Sequence, residues 1–195
     1  MRIASYQFQG RRWVGQVSAD SQSVTAFALD EAQAQLGALA LIERSAWRST
    51  PLQAQAVPIA QVKLEAPIPR PRRNVFCVGR NYHEHAKELR DSVFKNNNAN
   101  VAAWPIVFTK VPECVVGPHD DVQLPRGISE QIDYESELAV VIGTGGKNIG
   151  KEDALAHIFG YTIVNDVTAR DVQMRHQQWD MGKSFDTFCP MGPWI

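Results

Sequence analysis

The sequence predicts a strand-dominated α+β protein, and three observations support this fold class. Short apolar or alternating runs recur along the chain and are separated by Gly, Pro, Asn and Asp, a pattern typical of strands joined by turns. Few stretches show apolar residues at helical spacing. The 195 residues, 44% of them hydrophobic, suffice for one domain or for a small domain joined to a medium one.

The residue pattern of the N-terminal third predicts a small α+β domain. Alternating runs predict strands at 3–8, 13–17 and 24–28, and a further strand at 61–64. A helix is predicted over 30–45, because apolar residues recur there at helical spacing and Asp30 is a favourable N-cap.

A proline-rich segment then predicts a domain boundary. Three of the five residues from Pro67 to Pro71 are prolines, which favours an extended connection. We therefore expect a small domain over 1–66 and a larger domain over 67–195.

The sequence of the larger domain predicts a mixture of strands and short helices. Asn81 is positioned to cap a helix that begins near Tyr82, and the polar segment 95–100 predicts a loop. Strands are predicted at 74–78, 105–110, 134–142 and 161–164, and helices at 154–159 and 168–177.

Composition excludes several classes of protein. Twenty Lys and Arg residues against 21 Asp and Glu residues leave a formal charge of −1, which gives no electrostatic reason to expect nucleic acid or an anionic membrane as a partner. No apolar run reaches the roughly 18 residues of a membrane span. The cysteines Cys77, Cys114 and Cys189 are widely spaced, which favours a reducing cytoplasm over a disulfide framework.

The last residues of the sequence, Gly192 to Ile195, are typical of the entry to a buried strand. We therefore expect the larger domain to be incomplete at its C-terminus.

The clearest chemical signal is a pair of glutamates in one predicted strand. Glu135 and Glu137 are two positions apart, so they point to the same face, which continues into Ala139 and Val141. Two close, partly buried carboxylates repel each other unless a cation joins them. The alternative is a solvated strand end without a ligand.

Asp166 supplies a third carboxylate, at the end of the predicted strand 161–164. Junctions between strands and loops often carry functional groups. Three carboxylates without cysteine or histidine at zinc spacing favour a hard cation such as Mg²⁺, Mn²⁺ or Ca²⁺.

A second candidate pair is His85 and Glu88. Three positions apart on a predicted helix, they share a face, so Glu88 is placed to orient the imidazole and raise its basicity. The alternative is a surface His–Glu pair.

Three cationic residues complete the candidates. Lys110 and Lys183 interrupt apolar or small-residue surroundings, so each either holds an anion or extends its ammonium to solvent. Arg170 either binds a substrate carboxylate or pairs with its neighbour Asp171.

Four motifs in this order resemble the fumarylacetoacetate hydrolase family, and its short acylpyruvase-like branch in particular. They are FCVGRNY-x-x-HA-x-E at 76–88, DYE-x-EL at 133–138, NDVTARD at 165–171 and KSFD at 183–186. The resemblance covers roughly residues 70–195. It implies a mixed β-sheet rolled into a barrel-like shape, often in a homodimer.

The resemblance also implies roles for individual residues. Glu135, Glu137 and Asp166 would hold a divalent metal, usually Mg²⁺. His85 and Glu88 would activate water, Lys183 would contact the substrate or its developing oxyanion, and Arg170 would contact a substrate carboxylate.

The expected activity is metal-dependent hydrolysis of a C–C bond in a small anionic 2,4-dioxo acid. In this scheme His85 deprotonates water, and the metal and Lys183 stabilise the pyruvate-type enolate that the cleavage leaves. Decarboxylation of an oxaloacetate-like acid, or isomerisation or hydration of a dienoate from aromatic catabolism, would use the same enolate stabilisation. An alternative of another class is a non-catalytic, truncated paralogue.

Overall fold

The computed structural model describes residues 1–79, 81, 104–175 and 178–195. The predicted helix near Tyr82 and the predicted loop 95–100 lie outside these residues. The described residues form one five-stranded sheet, one four-stranded sheet and two two-stranded pairs, connected by short helices. The predicted strand-dominated α+β class is therefore confirmed.

The N-terminal sheet is antiparallel throughout, in the order β4-β3-β2-β1-β5. Its strands are β1 Arg2–Phe8, β2 Arg11–Val17, β3 Ser23–Phe27, β4 Leu52–Pro58 and β5 Lys63–Glu65. No strand was predicted over β4, an edge strand that is almost wholly exposed; its apolar residues alternate with Gln53 and Gln55, but two of them are alanines, which are depleted in strands.

The predicted helix over 30–45 is wrong in extent, because two short helices occupy the segment. They are α1 Glu31–Gln35 and α2 Leu39–Ile42. Asp30 does cap α1, since its side chain accepts a hydrogen bond from the Gln33 amide and the Gln33 side chain accepts one from the Asp30 amide. Gly37 separates the helices with a φ of 63°, a conformation that ends a helix.

The remaining strands build a mixed sheet in the order β10-β11-β13-β8, in which only the β13–β8 pair is parallel. Two further antiparallel pairs are β6–β7 and β9–β12. Within the described residues the sheets do not close into a barrel. The strands are β6 Val75–Gly79, β7 Ile106–Lys110, β8 Val115–Val116, β9 Ile132–Asp133, β10 Ser136–Ile142, β11 Ile158–Asn165, β12 Thr168–Ala169 and β13 Cys189–Gly192.

The helices of this part are shorter than predicted. The segment predicted as a helix over 168–177 begins with β12, and α3 covers only Arg170–Gln173. Thr168 pairs with Asp133 in the β9–β12 ladder, which takes it out of the helix. The segment predicted as a helix over 154–159 holds a 3-10 helix, Ala154–His157, and α4 covers Asp180–Lys183.

One buried cluster joins the two ends of the chain. It contains Ile3 and Val14 from the N-terminal sheet together with Val164 and Phe188. The backbone of Ile3 also exchanges two hydrogen bonds with Ile195, at 2.8 and 2.9 Å. The division into domains at 1–66 and 67–195 stays a prediction. Among the described residues, no helix is long and apolar enough to cross a membrane.

We expect Gly37→Ala to destabilise the protein more than Gly10→Ala. Both glycines have a positive φ, which costs about 1 kcal/mol or more for alanine. A Cβ at Gly37 would also lie 2.4 Å from Cδ of Pro69, whereas nothing lies within 4 Å at Gly10. In urea unfolding, Gly37→Ala should lose about 2–4 kcal/mol and Gly10→Ala about 1 kcal/mol. Equal losses would show that the contact with Pro69 contributes nothing.

Candidate metal and active site

The three carboxylates predicted from the sequence lie at one end of the β10–β11 pair. The strands are antiparallel with Ser136 opposite Asn165, so Glu135, just before β10, lies beside Asp166, just after β11. The Asp166 amide donates to the Glu135 carbonyl at 2.8 Å. One oxygen from each of Glu135, Glu137 and Asp166 lies within 4.8 Å of the others. The structure therefore places all three around one point.

The cluster is not a solvated strand end. Asp166 is fully buried, and both glutamates are partly buried. Glu137 shares the inner face of β10 with Ala139 and Val141, as the alternation predicted, and both apolar residues pack on the core. Strand β10 begins one residue after Glu135, where the Asn165 side chain accepts the Glu135 amide at 3.1 Å.

Burial and negative charge act together on Glu137. Desolvation raises the pKa of its carboxyl group to about 7, and the charges of Asp166 and Glu135 contribute to the shift. When no cation is present, this carboxyl group therefore stays protonated to a higher pH than an exposed glutamate does. A bound cation would favour its ionised form.

The donor set of this cluster fits a hard divalent cation. All three groups offer carboxylate oxygens, which suit Mg²⁺, Mn²⁺ or Ca²⁺ rather than a thiolate-preferring metal. The Oε1 atom of Glu135 is buried and accepts no hydrogen bond, although the Arg170 guanidinium forms an ion pair with it. A buried carboxylate oxygen with unused acceptor capacity is suited to coordinate a cation.

Two buried lysines hold Asp166. Lys110 Nζ donates to Asp166 Oδ1 at 2.8 Å, and Lys183 Nζ donates to Asp166 Oδ2 at 2.7 Å. Lys183 also donates to Glu135 Oε2 at 3.2 Å. The relative exposures of Lys110 and Lys183 are 0% and 1%, so neither ammonium extends to solvent. The sequence left open whether each lysine holds an anion or extends to solvent. In the structure both lysines pair with carboxylates.

The Arg170 guanidinium is also paired with acidic side chains. Its Nε and Nη2 atoms lie 3.0 and 2.8 Å from Asp133 Oδ2, and its Nη1 donates to Gln173 Oε1 at 3.1 Å. The alternative pairing with Asp171 is not observed, because Asp171 accepts from Ser129 and pairs with Arg175.

Asp133 contacts Arg170 of this site and Cys77 lies close to it, and neither was predicted as a site residue. Asp133 reaches Arg170 because the β9–β12 pairing places Asp133 opposite Thr168. Cys77, on β6, lies near the carboxylates, and burial together with the charge of Asp166 raises the pKa of its thiol to about 12. Asp133 lies within the acidic motif at 133–138, whereas no pattern in the sequence connects Cys77 with Asp166.

Strand β7, which ends at Lys110, and helix α4, which ends at Lys183, are joined by side-chain hydrogen bonds. Asp180 on α4 accepts hydrogen bonds from the amide and the hydroxyl of Thr109, at 2.9 and 3.1 Å. The rings of Phe108 and Trp179 are in tilted contact, with centroids 5.4 Å apart and an interplanar angle of 58°. These contacts hold α4 against β7, so the two lysines at the ends of these elements converge on Asp166.

The proposed dyad of His85 and Glu88 lies outside the described residues. Its position relative to the carboxylates therefore stays a prediction.

Comparison with known proteins identifies the family. Residues 74–195 match the model of the fumarylacetoacetate hydrolase C-terminal domain. The chain belongs to the fumarylacetoacetate hydrolase family. The match begins near the proline-rich segment and contains all the candidate site residues named above.

The curated relatives of this family member include oxaloacetate tautomerases. The chain is 53% identical to the oxaloacetate tautomerase YisK of Bacillus subtilis over 135 residues, which cover 69% of this chain and 43% of that protein. It is 47% identical to a human mitochondrial oxaloacetate tautomerase over 148 residues, which cover 75% of this chain and 44% of that protein. The chain thus spans less than half the length of these relatives.

Solved structures of family members have the same fold. A fumarylacetoacetate hydrolase of Exiguobacterium antarcticum superposes with a TM-score of 0.74 at 36% identity, over 100% of this chain and 66% of that one. A 5-carboxymethyl-2-hydroxymuconate delta-isomerase of Mycobacterium smegmatis gives a TM-score of 0.73 at 30% identity, with the same coverage of both chains.

We expect Asp166→Asn to weaken divalent-cation binding by at least about tenfold, because it removes one of three anionic donors. Isothermal titration calorimetry with Mn²⁺ measures the loss. Asp171→Asn is the control, since Asp171 is a nearby carboxylate that binds Ser129 and lies outside the cluster. Circular dichroism would establish that each variant is folded. An unchanged Mn²⁺ affinity in a folded Asp166→Asn protein would refute the metal assignment.

We expect the metal-free protein to lose stability as the pH rises from about 5 to about 8. A carboxyl group whose pKa is raised to about 7 binds more protons in the folded state than in the unfolded state across this interval, so folding is favoured at the acidic end. The loss should be on the order of 1–2 kcal/mol, less than the full shift implies because Glu137 is partly exposed.

Urea unfolding in EDTA at several pH values tests this dependence. The free energy of unfolding of Glu137→Gln should fall by about 1–2 kcal/mol less than that of wild type over this pH interval, because glutamine does not titrate. Parallel pH profiles for the two proteins would contradict the assignment to Glu137.

Proposed function

We propose that this protein is a divalent-cation-dependent enzyme that interconverts the keto and enol forms of an oxaloacetate-like acid. The observation that carries the proposal is the convergence of three carboxylates, two buried lysines and Arg170 on one point. The 53% identity to a Bacillus subtilis protein named as an oxaloacetate tautomerase supports this choice among the reactions of the family.

The charge of the site supports an anionic substrate. Among the described residues, four carboxylates face three cationic side chains there: Asp133, Glu135, Glu137 and Asp166 against Lys110, Lys183 and Arg170. When all are ionised, a divalent cation changes the local balance from net negative to net positive. A small dicarboxylate would then be attracted to the site.

Keto–enol conversion requires a proton to leave the carbon next to the ketone while another proton reaches the ketone oxygen. A bound cation would act as a Lewis acid that stabilises the enolate between these steps. In this proposal Lys183 holds a proton at the enolate oxygen and Arg170 binds a substrate carboxylate. Each side chain would first exchange a present carboxylate partner for the substrate. His85, oriented by Glu88, is the proposed base that removes the carbon-bound proton.

Hydrolysis of a C–C bond, the main expectation from the sequence, is not confirmed. The relatives reported above include tautomerases and an isomerase, which match the alternative reading better. Hydrolysis remains a second candidate because one structural neighbour, at 36% identity, is named as a fumarylacetoacetate hydrolase. Both reactions use the same enolate stabilisation, but hydrolysis also needs an attacking water.

We expect Glu135→Gln to lower the rate of keto–enol conversion of oxaloacetate by on the order of 10²–10⁴, because it removes a proposed cation ligand and a partner of Lys183. The decay of enol absorbance in the presence of Mg²⁺ measures this rate. Glu113→Gln should match wild type, since Glu113 forms an exposed ion pair with Arg70.

Product analysis distinguishes the alternatives. Release of CO₂ from oxaloacetate would favour a decarboxylase, and cleavage of an acylpyruvate would favour the hydrolase. A wild-type protein that binds the cation but accelerates none of these reactions would favour the non-catalytic alternative and refute the proposal.

The proposed enzyme is a cytoplasmic homodimer with neither nucleic acid nor membrane as a partner. The family resemblance supports the dimer, and the sequence composition supports the location. Light scattering coupled to size-exclusion chromatography would give the mass in solution, and a monomer at micromolar concentration would contradict the dimer.

A further inference from the structure

The ammonium of Lys183 lies where it neutralises two of the three candidate cation ligands. It donates to Glu135 Oε2 at 3.2 Å and to Asp166 Oδ2 at 2.7 Å. The same Nζ lies 4.8 Å from the centroid of the Phe108 ring, so an aromatic face stabilises its charge at this position. Lys183 therefore offers the carboxylates an internal cation.

The backbone of Lys183 is fixed independently of its side chain. Lys110 Nζ donates to the Lys183 carbonyl, and Ser184 Oγ accepts the Val111 amide at 3.2 Å. A Cβ on the neighbouring Gly182 would lie 2.6 Å from the amide nitrogen of Gln173, which shows how closely α4 approaches α3. The part of Lys183 that is able to move is its flexible four-carbon side chain.

Lys110 differs from Lys183 in this respect. Its Nζ is held by Asp166 Oδ1 at 2.8 Å, by the Val167 carbonyl at 3.0 Å and by the Lys183 carbonyl. These three acceptors match the three donors of an ammonium group. Lys110 thus has a complete set of partners that does not include either glutamate.

We propose that Lys183 competes with the divalent cation for Glu135 and Asp166, and that cation binding releases its ammonium from these carboxylates for the anionic substrate. The second half of this inference rests on the proposed function. The physical basis is that a divalent cation and an ammonium on the same oxygens repel each other at short range. Lys110 also pairs with Asp166 and Arg170 with Glu135, whereas Lys183 pairs with both carboxylates, so Lys183 and a divalent cation compete for the same two groups.

This competition links the cation to the substrate. A lysine held by two carboxylates is a poor donor to an incoming anion, whereas a released lysine is a good one. Cation binding therefore raises the affinity for an anionic ligand, and the ligand raises the affinity for the cation by the same factor.

Substitution of each lysine by methionine tests the competition without any substrate. Both substitutions remove a positive charge that lies within 3 Å of Asp166, so general electrostatics alone would raise Mn²⁺ affinity similarly in both variants. If Lys183 competes for the ligands, calorimetry should show a gain for Lys183→Met that exceeds the gain for Lys110→Met by about tenfold or more. An equal gain in the two variants, or no gain for Lys183→Met, would overturn the proposal.

A measurement on the wild-type protein covers the case in which a variant does not fold. With ¹⁵N-labelled lysine, the side-chain resonance of Lys183 should shift on Mg²⁺ addition far more than that of Lys110. Each resonance is assigned by its disappearance from the spectrum of the folded conservative variant, Lys183→Arg or Lys110→Arg. A Lys183 resonance that Mg²⁺ does not move would overturn the proposal. Neither readout depends on turnover, so loss of the tautomerase assignment alone would leave the competition at the cation site intact.

Discussion

The rest of the site depends on the pairing of the Asp166 carboxylate with two buried lysines. The carboxylate is fully buried, and each of its oxygens accepts a hydrogen bond from a buried lysine. Removing either lysine would leave a buried charge only partly compensated, which is costly in a medium of low dielectric constant. In the folded chain the ends of β7, β11 and α4 meet around this carboxylate.

This pairing gives the site its geometry before any ligand arrives. Because Lys110 also binds the Lys183 carbonyl, one ammonium connects the carboxylate to the backbone of α4. The antiparallel register of β10 and β11 then places Glu135 beside Asp166. Cation ligands and cationic side chains are thus positioned by the same interactions that stabilise the core.

The chemistry of such a site is broader than any one reaction. A cation held by carboxylates and flanked by lysine and arginine stabilises an enolate, whichever bond change produced it. Tautomerisation, decarboxylation and C–C hydrolysis differ in the proton transfers and in the role of water. We propose that His85 and Glu88 carry out those steps. The carboxylates, the lysines and Arg170 therefore indicate the enolate chemistry but not which reaction uses it.

The sequence by itself determined the fold class, most strands and the metal-ligand candidates. Strand alternation placed Glu137, Ala139 and Val141 on one face, because successive side chains in a strand point to opposite faces. The same local reasoning failed for β4, which is exposed on both faces, and for the helix predicted over 168–177, which long-range pairing of Thr168 shortens.

Only the tertiary structure decided which partners the charged residues have. Lys110 and Asp166 are 56 positions apart, and Asp133 and Arg170 are 37 apart, so no local pattern indicates that they pair. The sequence left both lysines with two possible roles, and burial chose between them, because an ammonium without access to water must find an acceptor. Residue types and spacing are local properties of a chain, whereas burial and ion pairing are set by the way that distant strands pack together.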